Sequence, residues 1–396
     1  MKNKQILFIS YDGLCDQLGE SQILPYLTEL KKKYEIYILS FEKKVNISDE
    51  KINYINNNFN WTFKNFTESK YKIFKLLDYI KLFFYSLSLI RRHNIKICHG
   101  RGFLPSLIIY LIKNLINIKL IFDVRGFWAD ERIDNNQLNK NNKIDKIIYK
   151  LLKYLEKKIL YSSDHVVVLT QKAKNILLQY NKKITVIPCA TNFSMFSNST
   201  FNDNDLIKNN IQFNINKYKI FCYLGSVDGA YMYDEVLRYF KLIKIKYKNV
   251  MLITITKNNK YANNILSHNK YKTIKNNVKI FSLERKELPF YLNKCYAMIS
   301  FVKNSYARKA MSPVKISEAL AANLPIIINQ NIGDLDEHLL KFDIGFSINI
   351  NDIKSIKNSI SKINNLSNKE YHRDEAFKIY DISTAIKKYS NLYYQL

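Results

Sequence analysis

The chain has 396 residues, 47% of them hydrophobic, and carries 62 Lys and Arg against 34 Asp and Glu, a formal charge of +28. That length and apolar content exclude a disordered chain and supply material for two hydrophobic cores. The lysines are spread along the chain rather than gathered in one tail. This ranks a composition-wide bias first, an anionic membrane surface second and a nucleic-acid groove third, and no nucleic-acid partner is expected.

The first apolar run, 5–10, is too short for a signal peptide, and the longest uncharged apolar stretch, 102–112, is too short to span a bilayer. Cys15, Cys98, Cys189, Cys222 and Cys295 show no metal-ligand spacing, and four of them sit in or beside apolar runs. These features predict buried thiols in a reducing cytoplasm and no resident metal. Short apolar runs at 5–10, 35–41, 95–98, 119–124, 165–170 and 183–188 alternate with segments of helical period. The pattern returns at 219–224, 250–256, 278–283, 296–302, 325–329 and 344–348. Such alternation predicts an α/β chain with parallel sheets covered on both faces. Twelve strands are too many for one compact sheet. They divide at the Asn- and Ser-rich stretch 192–218 into two Rossmann-like doubly wound domains, 1–200 and 201–380, facing each other across a cleft.

Ligands of such sheets bind at the carboxyl ends of the strands. After the first run come Gly13 and Gly19, and Gly19-Glu20-Ser21-Gln22 opens a helix. Neither a dinucleotide fingerprint nor a Walker A sequence is present. His99-Gly100-Arg101-Gly102 follows the third run. Asp123-Val124-Arg125-Gly126-Phe127-Trp128-Ala129-Asp130-Glu131-Arg132 follows the fourth, placing arginines, carboxylates and an aromatic pair where sugar hydroxyls and phosphates bind. Arg125, Asp130 and Glu131 read as functional; Asp123 and Arg132 read as a solvated charge cluster. In the second half, Gly225 and Ser226 follow the first run and suit a phosphate. Arg308 and Lys309 then precede Ser312-Pro313-Val314-Lys315, with Glu318 one helical turn on. Ser312 suits an N-cap and Pro313 the first helical position. This start offers free N–H groups and Lys315 to a diphosphate, and Glu318 to a ribose diol. The same residues also fit an ordinary capped helix packed on a strand.

Taken together, Asp16-Gln17-Leu18-Gly19-Glu20-Ser21-Gln22-Ile23-Leu24-Pro25-Tyr26-Leu27, the 123–131 segment and Ser312-Pro313-Val314-Lys315 with Glu318 resemble the GT-B glycosyltransferases, most closely the GT4 group that builds bacterial surface polysaccharides. The resemblance implies a nucleotide-sugar donor, such as a UDP- or GDP-sugar, on the C-terminal domain and a glycan or lipid-linked acceptor on the N-terminal one. It also implies that a last helix, 381–396, crosses back to the N-terminal domain. Gly19, Gly225, Ser226, Arg308, Ser312, Pro313, Val314, Lys315 and Glu318 would bind the donor; Arg125, Asp130, Glu131 and Lys315 would serve transfer, with retention of configuration. The family's Glu-x7-Glu motif is half present: Glu318 fits the second Glu, and Ala310 stands at the first. Without an Asp-x-Asp suited to a divalent ion, transfer is expected to need no metal. A nucleotide-sugar epimerase on the same fold and a non-catalytic basic binding protein are the alternatives. The segments 71–92 and 143–158, apolar and Lys-rich, suit either peripheral contact with anionic lipid or burial against the domain.

Overall fold

The computed structural model describes residues 4–43, 48–67, 75–197, 217–366 and 373–396. Most of the expected linker, and residues 71–74 of the first amphipathic segment, lie outside them. Among the described residues, thirteen strands form two all-parallel sheets. The chain divides into two compact units, one of 1–189 with 382–396 and one of 190–381.

The first unit holds β1 (Gln5–Ser10), β2 (Glu35–Glu42), β3 (Asn60–Asn65), β4 (Ile97–Arg101), β5 (Lys119–Val124), β6 (His165–Val168) and β7 (Ile184–Val186) in the order β3-β2-β1-β4-β5-β6-β7. β3 is the strand that the apolar runs do not reveal. It is an edge strand, half-buried, and its sequence Asn-Trp-Thr-Phe-Lys-Asn alternates instead of forming an apolar run. Buried Val, Ile, Leu and Phe from the central strands form the core, as expected of a sheet covered on both faces. The last helix, Ile382–Gln395, buries Tyr389, Leu392 and Tyr393 in this unit.

The second unit holds β8 (Lys219–Leu224), β9 (Val250–Ile255), β10 (Val278–Phe281), β11 (Ala297–Ser300), β12 (Ile326–Asn329) and β13 (Gly345–Ile348), ordered β10-β9-β8-β11-β12-β13. In both sheets the strand order reverses beside the first strand, at β1/β4 and at β8/β11, which is where doubly wound sheets bind ligands. The second unit starts earlier than residue 201. The short helix Phe193–Ser197 buries Phe193 and Phe196 among Ile220, Leu292 and Leu320, and that apolar anchoring draws the chain into the second core from Ala190 on.

The long loop after β1 is clamped by one carboxylate. Glu42, fully buried at the end of β2, accepts from the backbone N–H groups of Leu14 (2.7 Å) and Cys15 (3.1 Å) and from the Ser40 hydroxyl (2.6 Å). Its field and burial raise the Cys15 thiol to about 12, burial contributing most. Gly19 lies in the helix Gln17–Gln22, against the turn of that loop. A Cβ there would stand 2.2 Å from the Leu14 carbonyl and 2.4 Å from that of Gly13. The close approach that Gly19 permits here is to its own chain. Gly19→Ala should cost about 2 kcal/mol by overpacking, measured as a lower midpoint in urea unfolding; an unchanged midpoint would contradict this packing.

Candidate functional site

In the second unit, the helix Val314–Ala321 begins one residue later than expected. Pro313 is its N-cap, with an extended ψ of 129°, and Ser312 lies outside the helix. The N-cap residue Pro313 makes no side-chain cap hydrogen bond, the Ile316 N–H closes back on the Pro313 carbonyl at 3.0 Å, and the start of the helix is the positive end of its dipole. Lys315, on that turn, is buried. Its ammonium lies 3.5 Å from the centre of the Tyr231 ring and 5.0 Å from that of Tyr223, and it has no hydrogen-bond partner. Gly225, at φ +110°, brings the backbone after β8 against it; a Cβ on Gly225 would stand 3.0 Å from Lys315 Nζ. Burial pulls the Lys315 ammonium down to about 7, although nearby Glu318 opposes the shift. Cation–π contact offsets part of the desolvation but supplies none of the three acceptors the ammonium lacks.

Glu318 is buried one turn further on and accepts from Arg285 Nη1 at 2.7 Å, while Arg285 Nη2 donates to Thr191 Oγ1 at 3.1 Å. Burial raises the Glu318 carboxyl, and the Arg285 guanidinium offsets only part of that rise. Arg308, in the 3-10 turn Tyr306–Ala310, is buried with Nη1 3.8 Å from Met311 Sδ. Ser226 is exposed, and its hydroxyl donates to Asp228 Oδ1 at 2.8 Å. Lys315, Gly225 and Glu318 are thus gathered around one helix start. Arg285, Tyr223 and Tyr231, which complete the group, carry no motif of their own in the sequence.

In the first unit, the carboxyl ends of β4 and β5 carry a buried polar cluster that includes Asp123, which sequence reasoning assigned to a solvated charge cluster. Asp123 is buried, and its Oδ2 accepts from the Tyr389 hydroxyl (3.1 Å) and faces His99 Nε2 (3.4 Å). His99 Nδ1 meets the Tyr393 hydroxyl at 2.6 Å. Arg125 lies with Nη1 3.6 Å from Asp123 Oδ1 and donates from Nη2 to Cys189 Sγ at 3.0 Å. Burial would raise the Asp123 carboxyl, but Arg125, His99 and Arg101 outweigh it and hold it well below the usual range. The last helix thus completes this cluster with its two tyrosines.

Asp130 and Glu131 stand apart from that cluster in what they touch. Both Asp130 oxygens are engaged by the helix Lys143–Ser162: Tyr149 donates to Oδ1 at 2.8 Å and Lys153 to Oδ2 at 3.0 Å. Lys153 also pairs with buried Glu156. Glu131 folds back over the backbone of Gly126, where a Cβ would meet its Oε1 at 2.5 Å. Trp128 is stacked on Phe103 (4.7 Å between ring centroids), with the Arg132 guanidinium 3.8 Å from its ring. These contacts give Asp130 and Glu131 work in holding the segment 126–134. Among the described residues, no group of three or more His, Cys, Asp and Glu side chains is placed to hold a metal ion.

Two known families match the chain: Glycosyltransferase Family 4 over residues 27–194 and Glycosyl transferases group 1 over 207–378. No curated protein matches it. Solved structures share the fold from end to end. The sucrose-phosphate synthase of Thermosynechococcus elongatus is 13% identical with a TM-score of 0.73, covering 99% of this chain and 98% of that one. A glycosyltransferase from Rickettsia africae is 16% identical with a TM-score of 0.70, covering 100% and 99%. Anabaena HepE, solved in complex with UDP and glucose, is 12% identical with a TM-score of 0.70, covering 99% of each chain. The two family matches account for both halves, and the chain belongs to the GT-B glycosyltransferases of the GT4 type.

Proposed function

We propose that the protein moves a sugar from a nucleoside-diphosphate sugar to a glycan or lipid-linked acceptor in surface polysaccharide synthesis, with retention of configuration. The observation that carries the donor assignment is the Lys315 ammonium, buried and without an acceptor at an uncapped helix start. A diphosphate supplies the missing acceptors, from Lys315 Nζ and from the first-turn N–H groups. Glu318 has one oxygen on Arg285; the other takes a ribose hydroxyl. HepE, which shares this fold, is solved with UDP-glucose.

In the transfer, the bond between the anomeric carbon and the diphosphate oxygen breaks while the acceptor oxygen attacks from the same face. The acceptor proton passes to the departing diphosphate. Charge grows on the leaving group, so fixed cations aimed there lower the barrier. Lys315, the helix terminus and Arg308 serve that purpose, and in this reading the protein's own cations meet the charge without a divalent ion. The epimerase reading shares the fold, but both family matches are to glycosyltransferases.

A second observation favours an acceptor at a lipid surface. The helices Lys75–Arg92 and Lys143–Ser162 turn large apolar side chains outward: Phe84 is 62% exposed, Ile147 67% and Leu151 54%. The helix Phe103–Lys113, which packs against both, exposes Leu111. Lys146, Lys150, Lys157 and Lys158 surround that face, so it suits anionic lipid headgroups rather than burial within the domain. No helix among the described residues is long and apolar enough to cross a membrane.

Two measurements check these readings. UDP or GDP should raise the melting temperature, since a ligand of the folded state stabilises it, and the shift should vanish in Lys315→Met. If neither nucleotide shifts the wild type, or the shift survives in the variant, the donor assignment is wrong. The protein should sediment with vesicles of anionic phospholipid at low salt, less so at high salt, and several-fold less as Ile147→Glu/Leu151→Glu. Equal recovery with and without vesicles removes the membrane reading.

A further inference from the structure

The polar cluster of the first unit holds a buried cation, Arg101, whose Nε finds no hydrogen-bond partner among the described residues. Arg101 ends β4, at the point where the strand order reverses, in register with Ser10 at the end of β1. It is 5% exposed, and its Nε has no hydrogen-bond partner. The nearest carboxylate, Asp12, is 3.9 Å from Nε, beyond hydrogen-bond reach, and its side chain is 49% exposed. Asp123, the buried anion of the group, has its Oδ2 on His99 and Tyr389, while its Oδ1 makes no hydrogen bond and lies 3.6 Å from Arg125 Nη1. Two guanidiniums thus stand against one buried carboxylate. Burial and the neighbouring Arg125 both act against the charged form of Arg101.

A buried, unpaired guanidinium is expensive to keep, and a cavity that an anion enters is where such a group is retained. The cavity is present. It has a volume of about 20 Å³ and is lined by Arg101, Arg125, Asp123, His99, Tyr26 and Tyr389, among others. That admits one or two oxygen-sized atoms, not a sugar ring. The residue after Arg101, Gly102, is the N-cap of Phe103–Lys113 at φ +85°, and no side chain caps that helix either. Its positive end adjoins the same strand end. A guanidinium fork suits the paired oxygens of a phosphate or carboxylate.

We propose that Arg101 and Arg125, at the carboxyl ends of β4 and β5, form a subsite for an oxyanion. On the glycosyltransferase reading, which this assignment to the acceptor rests on, the oxyanion is a phosphate or carboxylate carried by the acceptor. The subsite is distinct from the Lys315 group, which lies in the other unit. Tyr389 and Tyr393 act as positioning residues: through Asp123 and His99 they fix the frame in which the two arginines sit.

The test is calorimetric titration of the full chain with inorganic phosphate and, separately, with acetate, in wild type, Arg101→Gln, Arg101→Lys and Lys315→Ala. Wild type and Lys315→Ala should bind at least one of the two saturably. Arg101→Gln should bind at least tenfold more weakly, and Arg101→Lys should fall between. Binding of phosphate alone assigns a phosphorylated acceptor; binding of acetate as well assigns a carboxylate-bearing one. Because an unpaired buried charge is removed, ligand-free Arg101→Gln should melt no lower than wild type. An Arg101 that serves only as the ion partner of Asp12 predicts the opposite. Absence of saturable binding in wild type, full binding in Arg101→Gln, or a lower melting temperature or failed folding of that variant overturns the proposal. UDP and GDP binding followed in Arg101→Gln separates the two assignments: it should persist there, and its absence from wild type would sink the donor reading while leaving the oxyanion subsite standing.

Discussion

A desolvated charge held without an acceptor governs the second unit. Lys315 sits at a helix start, walled by Tyr231, Tyr223 and the backbone of Gly225, and none of the described residues accepts a hydrogen bond from its ammonium. In water an ammonium is fully hydrated; here two aromatic faces return part of that loss and geometry forbids the rest. The group is therefore poised between releasing its proton and gaining an anion. Other features of the second unit follow from it. Gly225 holds a backbone conformation, φ +110°, that favours glycine, and a Cβ there would also press on the ammonium. Arg285 neutralises Glu318 from outside the helix, which leaves Lys315 short of a counter-ion although a carboxylate stands one turn away.

The first unit handles its charges differently. Asp123 is surrounded by polar groups from β4, from the segment after β5 and from the last helix: its Oδ2 is engaged by His99 and Tyr389, its Oδ1 faces Arg125 without a hydrogen bond, and Arg101 Nε lacks one as well. A helix distant in sequence is needed to complete that cluster. Tyr389 lies 266 residues from the carboxylate it donates to. The helix Ile382–Gln395 thus contributes to chemistry as well as to packing.

Much of this was legible in the chain. Short runs rich in Ile, Val and Leu marked most of the strands buried on both faces, because such strands bury mainly apolar side chains; β4, Ile97–Arg101, is buried throughout yet ends in His99, Gly100 and Arg101. Asn60–Asn65 escaped because an edge strand with a half-buried face needs only Trp61 and Phe63. The Ser-Pro start announced a helix and its Lys, but the cap fell on Pro313, whose extended ψ keeps it out of the helix. Reading Asp123 as surface charge failed because burial is a property of neighbours distant in sequence. Asp130 looked available for the same reason: Tyr149 and Lys153, which engage it, come from the following helix. The importance of Arg285 shows only once folding closes the separation of 33 positions between it and Glu318.

The measurement that bears most directly on the central claim is the titration of Lys315 itself, followed by carbon-13 NMR of its ε-methylene and assigned with Lys315→Met. Burial disfavours the ammonium, so the free protein should lose that proton as the pH rises through about 7. A diphosphate favours the ammonium, so saturating UDP or GDP should move the midpoint upward by a unit or more. A midpoint near that of free lysine in the unliganded protein, or one that neither nucleotide moves, would contradict the account.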